Sequence, residues 1–394
     1  MGTAVGTEAR SLEADRVGSD PFVRIKTHSD RGPADRSCFE VPAISGPPVL
    51  ALDLGGTRIR AAVVQPDGTR LARTETPTPT AEGPAAIVAA CSAMLEKARA
   101  SAPSDLAAAI AGIGLSSPGP VDPASGVVVE PPNLGSAFHD IPLAREVGRA
   151  LGLPAFLDRD TNVAALGERA FGAAIGCDDF IYLTVSTGVG GAIVTGGHLL
   201  HGPDGLAGEL GHVPVSLDGP RCGCGGIGHV EAYASGAALA REARSLVIAG
   251  RSPFLADRAR SQTDADELSA RDVAEGALAG DPACVELMDL ARRAVATACV
   301  GYANTFNPHR IVIGGSIAEG EGDRLLDPIR TAIASEAFEV IARHIRVVPA
   351  ALKGDVSLAG AHPLVMSRLA NRDAGSQPAS THRPAEPVVT SPRR

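Results

Sequence analysis

His212, Cys222, Cys224 and His229 fall within eighteen residues of a glycine-rich stretch. Thiolates and imidazoles at that density suit a closed tetrahedral Zn²⁺ site, with four ligands completing the shell. The plainer alternative is a metal-free loop that happens to contain His229. The other five cysteines, Cys38, Cys91, Cys177, Cys284 and Cys299, stand alone, so the seven form no disulfide framework and indicate a reducing compartment.

A second kind of chemistry is carried by glycines. Asp53-Leu-Gly-Gly-Thr57, Ser186-Thr-Gly-Val-Gly-Gly191 and Gly314-Gly-Ser316 each close an apolar run. Such a turn leaves backbone N–H groups open, which suits phosphate oxygens. Any one alone is also an ordinary tight turn. Three together, with Thr57 and Thr187 in two of them, read as a phosphate-binding set. No Gly-Lys-Ser/Thr follows, so none is a Walker loop, and Gly188-Val-Gly-Gly191 runs into a strand rather than the helix of a dinucleotide site. A nucleotide-dependent phosphotransferase of another class is expected. Asp160, in Asp158-Arg-Asp160, sits between a strand and a helix. There a carboxylate projects into a cleft, although the position is also a common helix N-cap.

The elements that must position these residues alternate strand, polar turn and helix, the pattern of an α/β sheet. Strands are expected at Val49–Leu54, Ile59–Val64 and from Thr69, then at Ala111–Leu115 and Ala155–Leu157, with a helix at Asn162–Phe171. An amphipathic helix carries Ile87, Val88, Cys91, Met94 and Leu95. The opening module recurs about 130 residues later as Phe180–Val185, Ala192–Thr195 and His198–Leu200. A long helix with Cys284, Met288, Ala291 and Val295 on one face leads to a strand at Arg310–Ile313. Two similar domains facing a cleft are expected, with ligands at the strand ends.

The length, 394 residues, fits two or three domains at ~150 residues each. Residues 1–46 and 373–394 are polar and patternless and are expected to be disordered arms. Between them, 47–160 and 161–372 are expected to form the two domains, the last helix returning to the first. A net charge of −9 without a concentrated basic face argues against nucleic acid as the main partner. The longest apolar stretches fall far short of the ~20 residues of a membrane helix, and Met1–Ser19 has no apolar signal region. A cytoplasmic protein is expected.

Taken in order, Asp53-Leu-Gly-Gly-Thr57, Ser186-Thr-Gly-Val-Gly-Gly191, Gly208-Glu-Leu-Gly-His212, Cys222-Gly-Cys-Gly225 and Glu231 resemble the motifs of the ROK family of bacterial sugar kinases and sugar-responsive repressors. The resemblance runs from about Val49 to Leu369. It implies a two-domain actin/hexokinase-like (ribonuclease H-like) fold with an interdomain cleft. It further implies ATP-dependent phosphorylation of a hexose, glucose first, at its 6-hydroxyl. Asp53 would order Mg²⁺ through water, Gly55, Gly56, Thr57, Thr187 and Gly188 would meet the ATP phosphates, and Gly314 and Gly315 would flank the adenosine. Asp160 matches the family's catalytic base. Glu209, His212 and Glu231 match its sugar-contacting trio, and Asn133 is a further sugar-side candidate. A homodimer or homotetramer is implied.

Two residues depart from the family pattern. Arg159 replaces the usual Asn before the base, so a group that donates and accepts becomes one that only donates. His229 stands where a third Cys is usual, leaving a Cys₂His₂ set of His212, Cys222, Cys224 and His229 for a structural zinc ion. Zinc on one nitrogen of His212 would leave the other aimed at the sugar. The alternatives are a sugar-responsive DNA-binding regulator, another substrate (N-acetylmannosamine, mannose or fructose) and polyphosphate as donor. Against the regulator, only 48 patternless residues precede Val49.

Overall fold

The computed structural model describes residues 46–131, 133–261 and 267–373. The arms expected at 1–46 and 373–394 lie outside them, apart from Gly46 and Asp373. In chain order the strands are β1 (Val49–Leu54), β2 (Arg58–Val64), β3 (Arg70–Pro77), β4 (Ile113–Ser117), the short pair β5 (Val121–Asp122) and β6 (Val127–Val128), and β7 (Ala155–Arg159). There follow β8 (Phe180–Val185), β9 (Val189–Thr195), β10 (His198–Leu199), β11 (Arg310–Gly314) and β12 (Arg346–Pro349).

Two sheets repeat one plan, β3-β2-β1-β4-β7 and β10-β9-β8-β11-β12. In each, an antiparallel meander is extended by two parallel strands. Parallel neighbours need long crossovers, and helices such as Pro84–Ser101 before β4 and Pro282–Phe306 before β11 supply them. The internal repeat in the sequence is thus a repeat of topology.

β1 is buried along its whole length because both faces of its sheet are covered. Leu50, Leu52 and Leu54 pack with Ile87, Cys91 and Leu95 of the Pro84–Ser101 helix. Val49 and Ala51, on the opposite face, meet Leu358, Ala361 and Val365 of the last helix, Val356–Asp373. In the second sheet Ile181, Leu183 and Val185 face the long helix Pro282–Phe306 through Met288, Val295 and Cys299. That helix starts cleanly because Asp281 accepts the amides of Ala283 and Cys284, both at 3.1 Å.

The helix Asp160–Phe171 lies between the sheets. Val163 belongs to the core of the first, and Ala164 and Ala165 pack with Phe180 and Tyr182 of the second. It crosses the last helix where both carry glycine. A Cβ on Gly360 would fall 1.8 Å from the Val163 carbonyl oxygen and 3.0 Å from the Gly167 amide. Backbone against backbone leaves no room to yield. Gly360→Ala is therefore expected to destabilise the protein by ~3 kcal/mol, at the upper end for overpacking. Urea denaturation measures this, and a loss under ~0.5 kcal/mol, the range of an ordinary surface change, would contradict the crossing.

Candidate active site

Strand register gathers the first set of polar groups at one end of the first sheet. Asp53 of β1 is paired with Arg60 of β2 and Ser116 of β4, and Ser116 with Asp158 of β7. Asp53 Oδ1 accepts from Ser116 Oγ at 2.8 Å, and Oδ2 from Arg60 Nη2 at 2.5 Å and Nε at 3.1 Å. Beyond β1, the turn Gly55-Gly56-Thr57 is held by Thr78, whose hydroxyl donates to the Gly55 carbonyl at 2.6 Å and whose amide donates to that of Thr57 at 3.0 Å. Thr57 is exposed, and Asn133, also exposed, lies against Gly56.

Asp160 opens the helix that separates the sheets, and Arg159 takes the N-cap position. The Asp160 carboxylate accepts the next amide, Thr161, at 2.7 Å. Burial, reinforced by the nearby Asp53 charge and only partly offset by the Thr161 amide and Arg159, pushes its pKa up to about 6. Such a carboxylate is poised to take a proton near neutral pH. Asp158, two residues back, has the opposite character. Burial alone would raise its pKa, but hydrogen bonds from His201 Nε2 (2.8 Å), Asn162 Nδ2 (2.7 Å) and the Arg159 amide (2.8 Å) hold it below the usual range. Asp158 is a fixed anion with its acceptors engaged.

The second sheet supplies the other turns. Ser186-Thr187-Gly188 closes on itself through a 2.9 Å bond from the Ser186 amide to the Gly188 carbonyl, leaving Thr187 exposed. β9 begins at Val189, earlier than the sequence pattern suggests, because Gly190 and Gly191 pair with Thr184 and Leu183 of β8. Gly314 ends β11 opposite Thr184, and Ser316 beyond it lies 3.2 Å, hydroxyl to hydroxyl, from Ser186. The turns at 186–188 and 314–316 thus adjoin.

Glu209, His212 and Glu231 converge on one loop cluster. The turn Leu210–His212 is anchored from below by Tyr302 of the long helix, whose hydroxyl donates to the Leu210 carbonyl at 2.5 Å. His212 Nε2 lies 3.8 Å from Glu209 Oε2, and its Nδ1 faces Cys222 Sγ at 3.6 Å. His229 Nδ1 faces Cys224 Sγ at 3.3 Å. One ligand atom from each of these four lies within 4.8 Å of all the others. Bonds of ~2.0–2.3 Å to a common ion need only a small contraction of that set. Glu231 joins cluster and turn, with Oε1 3.5 Å from Cys222 Sγ and Oε2 accepting the Val189 amide at 2.9 Å.

Arg159 is 3% exposed and donates to Glu209 Oε1, to the Ala207 carbonyl at 2.6 Å and to Asn162 Oδ1 at 3.4 Å. Neither this pairing nor the contact of Asp158 with His201 was legible in the sequence. His201 carries no motif of its own.

A family model described as the ROK family matches residues 49–368. The chain is 32% identical over 321 residues to a glucokinase of Thermotoga maritima, covering 82% of this chain and 98% of that protein. It is 33% identical over 313 residues to an N-acetylmannosamine kinase of Escherichia coli, covering 79% and 96%. A solved ROK family glucokinase from Streptomyces griseus, in complex with glucose and AMPPNP, superposes with a TM-score of 0.67 at 33% identity over 82% of this chain and 99% of that one.

Proposed function

Because this chain belongs to the ROK family, we propose that it transfers the γ-phosphoryl group of ATP to the 6-hydroxyl of a hexose, glucose foremost. The observation that carries this reading is Asp160, a carboxylate at the start of the helix that follows β7, accepting the Thr161 amide, near Asp53 and with its pKa raised to about 6. It takes the hydroxyl proton as the oxygen attacks, the general-base role such a shifted carboxylate suits. Glu209, His212 and Glu231 hold the sugar, with Asn133 and Arg159 at its margin. Gly55, Gly56, Thr57, Thr187 and Gly188 present amides and hydroxyls to the phosphates, and Gly314 and Gly315 flank the adenosine. Phosphoryl transfer asks chiefly for such positioning and for neutralised charge.

Mg²⁺ would supply that neutralisation. Asp53 is the residue for it, and since both its oxygens already accept from Arg60 or Ser116, a role through water fits better than direct ligation. His212, Cys222, Cys224 and His229 suit a structural Zn²⁺. Their facing Nδ1 and Sγ atoms leave Nε2 of His212 turned toward Glu209. Six free thiols among the described residues support a reducing cytoplasm.

The E. coli relative favours a second reading, N-acetylmannosamine as substrate. A coupled assay of the purified protein with ATP and a hexose panel decides between them. Glucose is expected to show a kcat/KM at least ~10-fold above N-acetylmannosamine, the scale one substituent supports. The reverse order would replace glucose, polyphosphate outperforming ATP would replace the donor, and no turnover of any hexose would sink the proposal.

A further inference from the structure

Asp158 and Arg159, neighbours at the end of β7, both reach from the first sheet to the segment between β10 and His212. Asp158, fully buried, meets His201 Nε2 at 2.8 Å. The Arg159 guanidinium donates to Glu209 and to the Ala207 carbonyl, with the Gly191 carbonyl of β9 at 3.5 Å. The site is shaped to receive it. Gly208 has φ +92°, and a Cβ there would stand 3.0 Å from Arg159 Nη2, so only glycine both adopts this backbone and leaves the space. Gly119 makes similar room for the aliphatic stem, 3.0 Å from Cδ.

A buried guanidinium is costly to desolvate and adds little stability by itself. Here its Nε finds no hydrogen-bond partner among the described residues. What the arrangement provides is placement. Glu209 Oε1 is engaged by Arg159, and Oε2 lies toward His212.

We propose that Arg159, assisted by Asp158, is a positioning residue that clasps the 201–209 loop to β7 and so sets Glu209 for the hexose before the hexose arrives. The inference rests on Glu209 as a sugar ligand. A carboxylate fixed in advance loses less freedom on binding, so the clasp favours sugar affinity rather than nucleotide affinity. It also narrows what the pocket accepts. Arg159 offers only donors, and Oε2 is the Glu209 oxygen left free of it to accept a hydrogen bond from a sugar hydroxyl.

Hydrogen exchange of the full-length protein, read at amides 201–209 without sugar and with saturating glucose, tests the clasp, with steady-state kinetics alongside. In Arg159→Gln the loop is expected to exchange at least ~10-fold faster without sugar, as loss of a cross-sheet charge contact would allow. Glucose should close that gap. KM for glucose should rise at least ~10-fold while KM for ATP stays within ~2-fold, the mark of lost preorganisation on the sugar side. Arg159→Lys should recover only part of both effects, because one ammonium cannot match the planar fork that serves Glu209 and Ala207 together.

Unchanged exchange in Arg159→Gln, or a KM for ATP that moves as far as that for glucose, would overturn the proposal. Should that variant fail to fold, His201→Gln loosens the clasp from its half-exposed end and must speed exchange of the same amides, and parental exchange there would equally refute it. If the parent turns over no hexose, the reading of Glu209 fails, while the exchange measurement still decides whether the clasp exists.

Discussion

Replacing Asp160 by asparagine will lower hexose phosphorylation at least ~10²-fold, the usual worth of a general base, while glucose and nucleotide still bind. Asparagine keeps the shape and the capacity to accept the Thr161 amide, so what is lost is the charge and with it the proton acceptor. The parent should reveal the same group by pH. With its pKa raised to about 6, Asp160 is ionised and competent at neutral pH, and kcat/KM should fall tenfold per unit below about 6. The stability effect has the opposite sign. A carboxylate whose folded pKa exceeds its ordinary value costs stability when ionised, and that cost vanishes as pH falls through the folded value toward 3.8. Asp160→Asn should therefore melt no lower than the parent at pH 7. Turnover near the parental rate would mean that another group takes the proton.

The second large effect concerns the His212, Cys222, Cys224 and His229 cluster. The purified protein is expected to carry close to one equivalent of zinc, and chelation should lower Tm by several degrees, because metal bound only to the folded state stabilises it. KM for glucose should rise with it, since His212 loses its anchor, while KM for ATP should hold. Burial now pushes the Cys222 thiol up to about 11; the positive charge of a metal would ionise it. His229→Cys should retain both metal and activity, as three thiolates and one imidazole also complete a tetrahedron, and His229→Ala should lose the metal. Elemental analysis finding active protein without zinc would return His229 to the role of an ordinary loop residue.

What was legible in the sequence was local in it. The three glycine turns and the strands that feed them each lie within a few residues, the cysteine–histidine run within eighteen, and the long helix shows Cys284, Met288, Ala291 and Val295 all buried as their spacing requires. Asp160 could be placed at a strand end but not given its pKa, which depends on burial in the fold and then on Asp53, more than a hundred residues earlier. The clasp was invisible for a related reason. Asp158 and His201 are 43 residues apart, and Arg159 and Glu209 are 50. No periodicity links such partners, because the sheets' packing brings them together. The β5–β6 pair, two residues to a strand, is too short to leave an alternating pattern.

The crossing at Gly167 and Gly360 also bears on when the protein becomes active. The helix that begins with Asp160 is translated early, yet one of its supports is the last helix, Val356–Asp373. At ~5–20 residues per second, the ~200 residues between the two glycines take roughly 10–40 s to synthesise. For that interval the nascent chain carries Asp160 on a helix with one flank bare. The chain should acquire catalytic competence only after the helix Val356–Asp373 has docked, however early its first sheet has formed.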